Sequence, residues 1–192
     1  RDHLIDDAVT QLSMQHSLNF LKKLRIVFEG EPAIDVGGPS REFLYLVSEQ
    51  LFSPDHGMFI TVNNHKYHWF SQVSFEGDRS FFLVGAVVGL AIHNSIVLPI
   101  RLPRVVYKRL LTPSKPLTLN DLRQIDPQLA SSLSKIDQMV QKGEDVSSLM
   151  LTFTATIDCF GHQLNVPLVE NMQDVEVNND NAEFYIGAYI NF

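Results

Sequence analysis

Apolar positions along this chain change period several times, and each change marks an element. Leu4, Ile5, Ala8, Val9 and Leu12 recur at helical spacing, so the chain opens in an amphipathic helix. Leu24, Ile26 and Phe28 alternate with Arg25 and Val27, the two-residue period of a strand. Phe43, Leu44, Val47 and Leu51 return to a helical stripe. Pro54-Asp55-His56-Gly57 reads as a turn. Residues 58–62 and 65–70 flank Asn63-Asn64, which predicts a hairpin with a two-residue turn. Glu76-Gly77-Asp78-Arg79-Ser80 then leads into residues 81–92, an unbroken apolar run that reads as a buried central helix.

The second half carries stronger local signals. Residues 103–111 form a further predicted helix, with Val106, Tyr107, Leu110 and Leu111 on its apolar side. Thr112-Pro113-Ser114-Lys115-Pro116 breaks the pattern and marks a subdomain boundary or hinge. Thr118 and Asp121 have capping-box spacing, with Asp in place of the usual Glu or Gln. Asp126-Pro127 starts a helix by cap and proline, its stripe runs Leu129, Leu133, Ile136, Val140, and Gly143 ends it. Leu149, Leu151 and Phe153 alternate with Met150 and Thr152 as a strand. Gly161-His162 turns that strand back into Leu164-Asn165-Val166. Asn178-Asn179-Asp180-Asn181 caps a final helix carrying Tyr185, Ile186 and Tyr189, with no stop signal before Phe192. The expected fold is α+β: mostly helical, with short antiparallel hairpins. A larger helical subdomain would span residues 1–111 and a smaller one residues 112–178. The last helix, residues 179–192, would pack back on the larger subdomain.

Composition narrows the function classes. Hydrophobic residues at 45% and charged residues at 19% are globular values, so the bulk of the chain has a core to build. A net charge of −7 argues against a nucleic-acid face, which needs clustered Lys and Arg. One cysteine excludes an internal disulfide and suits a reducing compartment, the cytoplasm or nucleus. No signal-peptide pattern opens the chain. The run at 81–92, with its Gly85-x-x-x-Gly89 spacing, falls short of the roughly 20 apolar residues of a membrane span. His93-Asn94-Ser95 interrupt it, and a small-residue pair equally lets soluble helices pack closely.

The richest segment is the corner from Phe28 through Glu29-Gly30-Glu31-Pro32-Ala33-Ile34-Asp35-Val36-Gly37-Gly38-Pro39-Ser40-Arg41-Glu42 to Phe43. Asp35 can bond its own backbone, Gly37 and Gly38 permit positive φ, and Pro39 suits the first helical position. This corner resembles a signature of the HECT-type ubiquitin ligases, near the start of the amino-terminal lobe of their catalytic domain. Further motifs continue the resemblance in order over essentially the whole chain. Leu51-Phe52-Ser53-Pro54-Asp55-His56-Gly57-Met58-Phe59 is similar to the family's Leu-Phe-x-Pro-x-x-Gly-x-Phe, and Phe82 to Ala91 to its Phe-x-x-x-Gly-x-x-x-Gly-Leu-Ala helix. Tyr107-Lys108-Arg109-Leu110-Leu111, Thr118-Leu119-Asn120-Asp121-Leu122, Asp126-Pro127-x-Leu129-x-x-Ser132-Leu133, Leu151-Thr152-Phe153 and Phe160-Gly161 follow.

The resemblance implies a role in ubiquitin transfer. In that family ubiquitin passes from the thioester of a ubiquitin-conjugating enzyme to a ligase cysteine, then to a substrate lysine. The amino-terminal lobe docks the conjugating enzyme, a carboxy-terminal lobe carries the nucleophile, and regions elsewhere choose the protein substrate. This chain resembles the first lobe alone, so no catalytic residue is expected in it, and no cofactor or metal. By position the family's docking groove maps onto Leu129, Ser132, Leu133, Leu149, Leu151 and Tyr185, with Met139 or Val140 where many relatives place an aromatic. In outline the residues agree: Leu129 and Leu133 share a helix face and Leu149 and Leu151 a strand face, which together would make an apolar trough. Such stripes equally describe plain core. Some relatives also bind a second ubiquitin near the turn at Pro54 to Gly57, where His56 replaces an aromatic.

Other chemistries are weaker. Cys159 with His162 invites a cysteine-hydrolase reading, but the surrounding residues do not match the family's catalytic motif. His65, Tyr67, His68 and Trp69 alternate along a strand, and no carboxylate or cysteine completes a ligand set with them. Gly37-Gly38 lacks the lysine of a phosphate loop. Asp35, Arg41 and Glu42 fit a cap or ion pair holding the corner. A helical adaptor without a ubiquitin role is the remaining class.

Overall fold

The computed structural model describes residues 3–15, 17–31, 36–159 and 161–192. Among the described residues seven α-helices and four strands follow in the order α1 (Leu4–Ser13), α2 (Gly38–Leu51), β1 (Phe59–Val62), β2 (Tyr67–Phe70), α3 (Asp78–His93), α4 (Arg104–Leu111), α5 (Leu119–Leu122), α6 (Pro127–Lys142), β3 (Thr154–Cys159), β4 (His162–Pro167) and α7 (Ala182–Asn191). The strands form two separate two-stranded sheets, so the fold is α+β and predominantly helical. Contacts divide the chain into two units, Arg1–Thr61 with His68–Arg101, and Val62–Tyr67 with Leu102–Phe192.

In the first unit α1, α2 and α3 pack on one another. Gly37, at φ 113°, caps α2 in a conformation open to glycine, and Pro39 sits in the first turn, where a missing N–H costs nothing. Ser40 Oγ donates to the Leu24 carbonyl at 3.2 Å, and Asn94 Oδ1 accepts from Leu24 N at 3.0 Å. These bonds pin the segment that leads to the corner between α2 and the end of α3. Leu24 to Phe28, read as a strand, has no regular secondary structure among the described residues. Pro32 to Asp35, including the expected Asp35 turn, lie outside them.

Two further expectations change, at the turn between β1 and β2 and on α3. The hairpin turn holds four residues, Asn63 to Lys66, with Asn63, Asn64 and His65 all at positive φ. Helix α3 is buried on one face only. Leu83, Val84, Val87, Leu90 and Ala91 enter the core, whereas Phe82 and Ile92 are 49% and 72% exposed. Gly85 and Gly89 lie on that exposed side, and a Cβ at either would meet nothing. No helix among the described residues is long and apolar enough to cross a membrane.

The second unit has its own core, built from Leu133, Ile136, Val146, Phe153, Val177, Ala182, Tyr185 and Ile186. Asp126 accepts from Gln128 N and Leu129 N at 3.0 and 2.8 Å, and Gly143 closes α6 at φ 73°. Helix α7 spends its buried residues on this core, packing against α6. Contacts likewise group α4 here, so they divide the chain at Leu102 rather than at Thr112 and keep the final helix with the second unit. In α4 the apolar side is reversed from expectation. Val105 is buried, while Tyr107, Leu110 and Leu111 are exposed. The predicted strand 149–153 is also displaced. β3 starts at Thr154 and pairs antiparallel with β4, Thr154 opposite Pro167 and Cys159 opposite His162.

Candidate functional site

The residues read as a groove gather around the core of the second unit, at different depths. Leu129 and Met139 on α6 are half-buried and pack against that core, as does Leu151 after the turn. Ser132 is exposed. Leu149 is 41% exposed. Leu133 and Tyr185, at 2% and 4%, lie inside. Those two belong to the buried core of the second unit. Val140, the alternative to Met139, is also half-buried against the same core.

The geometry that joins them is a turn, not a strand. Residues Val146–Leu149 form a 3-10 turn capped by Asp145, whose side chain accepts from Ser147 N at 3.0 Å. Asn179 clamps its start, accepting from Val146 N at 2.9 Å and donating to the Glu144 carbonyl at 2.8 Å. Leu151 accepts from Val177 N through its carbonyl at 2.8 Å, and Thr152 bridges Glu176. Leu149 and Leu151 are thus presented by a pinned turn, so the trough between a strand face and a helix face is not how the surface is made.

One aromatic was missed by the sequence reading. Phe184, beside Tyr185 on α7, is 53% exposed and its ring lies 5.6 Å from that of the buried Phe153. Tyr185 packs edge-on to Phe153 at 5.3 Å and to Tyr189 at 5.4 Å. Adjacent helical residues point about 100° apart, which lets Phe184 face outward while Tyr185 and Ile186 enter the core. The Tyr189 hydroxyl donates to the Thr154 carbonyl at 3.4 Å. Burial, with the neighbouring Tyr189, pushes the Tyr185 hydroxyl up to about 12.

The remaining candidates find structural explanations. Cys159 and His162 face each other across the end of the β3–β4 hairpin, where Gly161 N donates to Asp158 at 2.7 Å. Among the described residues no hydrogen bond joins the thiol to the imidazole, so nothing there holds a base against a nucleophile. His68 Nδ1 accepts from Arg101 N at 3.2 Å, and its ring lies edge-on to Phe52. No group of three or more His, Cys, Asp or Glu among the described residues is arranged to hold a metal ion. His56 sits in a 3-10 turn, half-buried, with Nε2 enclosed and unpartnered among the described residues.

The second unit thus carries exposed apolar side chains at Leu149, Met150 and Phe184 beside its own buried core. The sequence profile of the HECT-domain (ubiquitin-transferase) family matches residues 45–192. The human probable E3 ubiquitin-protein ligase HERC4 is 32% identical over the whole chain, which covers 18% of that protein. Human HERC3, likewise a probable E3 ubiquitin-protein ligase, is 34% identical, with 18% covered. Human HECTD2, described in the same words, is 34% identical, with 26% covered. The chain belongs to the HECT-domain family of ubiquitin ligases, and it spans about a fifth to a quarter of these relatives.

Proposed function

We propose that this chain docks a ubiquitin-conjugating enzyme through the second unit, so that ubiquitin passes to a cysteine elsewhere in a longer ligase. The observation that carries this reading is the set of exposed apolar side chains Leu149, Met150 and Phe184. They are supported by half-buried Leu129, Met139 and Leu151 on a single core. A few aromatic and aliphatic anchors over a rigid base typically supply most of an interface's binding energy. In the transfer itself a ligase thiolate attacks the thioester carbonyl. The new carbon–sulfur bond forms as the conjugating enzyme's thiolate leaves, and a substrate amine later displaces the ligase sulfur. The residues around Cys159 do not match the family's catalytic motif, and on this reading the chain works by positioning its partner and does not itself carry the ubiquitin thioester.

The test is a titration of the isolated chain with a broad panel of charged and uncharged conjugating enzymes, followed by NMR. Weak, selective binding is expected, reduced at least tenfold by Leu149→Ala and by Phe184→Ala with the fold intact by circular dichroism. Absence of binding across the panel overturns the docking role, and unchanged binding by both variants overturns the surface. Binding by unrelated helical peptides instead would support the adaptor class.

A further inference from the structure

Six described residues other than glycine have positive φ: Asn63, Asn64, His65, Ser95, Met150 and Asn171. Three are asparagines, which tolerate the left-handed region through their short polar side chains. Among the six, Met150 is the one with a long apolar side chain. It sits at φ 48°, ψ 40° and is 86% exposed. An exposed side chain adds little to the core, while the left-handed backbone is unfavourable for any residue with a Cβ. Glycine or asparagine would suit the turn better.

The surrounding bonds hold this conformation firmly. Met150 N donates to the Ser147 carbonyl at 3.0 Å, and Ser148 Oγ donates to the Asp145 carbonyl at 2.7 Å. The Asp145 and Asn179 clamps fix the start of the turn, and the Leu151–Val177 bond fixes its exit. A strained backbone that neighbours over-determine, carrying a side chain the fold does not use, points to a use outside the fold. Methionine's unbranched, polarizable thioether fills irregular apolar gaps, so a backbone held in one place can offer it to a complementary depression.

We infer that Met150 is a specificity-determining residue of the docking surface, a rigidly presented thioether that enters an apolar depression on the conjugating enzyme and helps select among such enzymes. This rests on the docking reading above. It gives Met150 a part separate from Leu151, which packs against the core of the second unit.

The test measures dissociation constants of the parent, Met150→Gly and Met150→Asn against the same enzyme panel, with thermal unfolding of each. Both substitutions suit the left-handed backbone, so unfolding midpoints at or above the parent's are expected. Affinity for the preferred enzyme should fall at least fivefold in both, and the rank order of the panel should change. If the parent binds and both variants keep its affinities and rank order, the Met150 inference fails while docking stands. If the parent binds no enzyme, the docking reading fails and this inference with it.

Discussion

Lys108 on α4 and Asp121 on α5 form an ion pair that is largely withdrawn from solvent. The Asp121 Oδ2 that meets the ammonium also accepts from Thr118 N at 2.9 Å and from Thr118 Oγ1 at 2.8 Å. One carboxylate therefore completes the capping box of a four-residue helix and ties the preceding helix to it. A helix that short cannot hold itself together, and this bond set is what makes it part of the unit.

Asp121→Asn should lower unfolding stability by about 1–3 kcal/mol, because it removes a charged partner from three donors. The effect depends on pH with a definite sign. Burial pushes the carboxyl up, but hydrogen bonds from Lys108 and Thr118 outweigh it and hold the group below its ordinary 3.8. The contribution is thus complete above 3.8 and is lost as pH falls through the lower folded-state value. Denaturant unfolding across the acid range should show a shallower acid limb in the variant than in the parent. Parallel limbs would remove Asp121 from the acid response.

Leu133→Ala should cost about 2–5 kcal/mol, since it opens a cavity in the core shared by α6 and α7. The exposed neighbour gives the control. Ser132→Ala should change stability by less than about 0.5 kcal/mol. Denaturant melts of the two variants decide the matter, and any loss of partner binding in Leu133→Ala should follow its unfolded fraction. A loss below about 1 kcal/mol would contradict the interior position.

Much of the fold was legible because it is locally encoded. Asp126 before Pro127, Gly143 after Lys142 and Thr118 three residues before Asp121 each state a boundary through their own hydrogen bonds or backbone needs. What was not legible depends on which side of an element meets the core. Tyr107, Leu110 and Leu111 form an apolar side of α4, yet Val105 takes the interior. Leu149, Leu151 and Phe153 alternate as a strand does, but a 3-10 turn followed by one left-handed residue yields the same alternation of depth. The family resemblance pointed to Tyr185 on α7, which is buried, while the exposed ring beside it belongs to Phe184. Lys108 could not have been paired with Asp121 by spacing, because an intervening break of unknown course separates them.

Alkaline pH provides a readout of the same core from the other side. Burial first, and the adjacent Tyr189, raise Tyr185 from 10.0 to about 12, and burial also raises Tyr189. A hydroxyl that resists ionisation in the folded state stabilises that state fully below pH 10 and loses the contribution as pH rises through 12. Unfolding stability should therefore decline between pH 10 and 12, and Tyr185→Phe should make that decline shallower. Phenolate absorbance during alkaline titration should show a component that appears together with loss of helical circular dichroism, and this component should be smaller in Tyr185→Phe, where Tyr189 alone remains. A variant whose alkaline decline matches the parent's would place the sensitive group elsewhere than at the α7 face of this core.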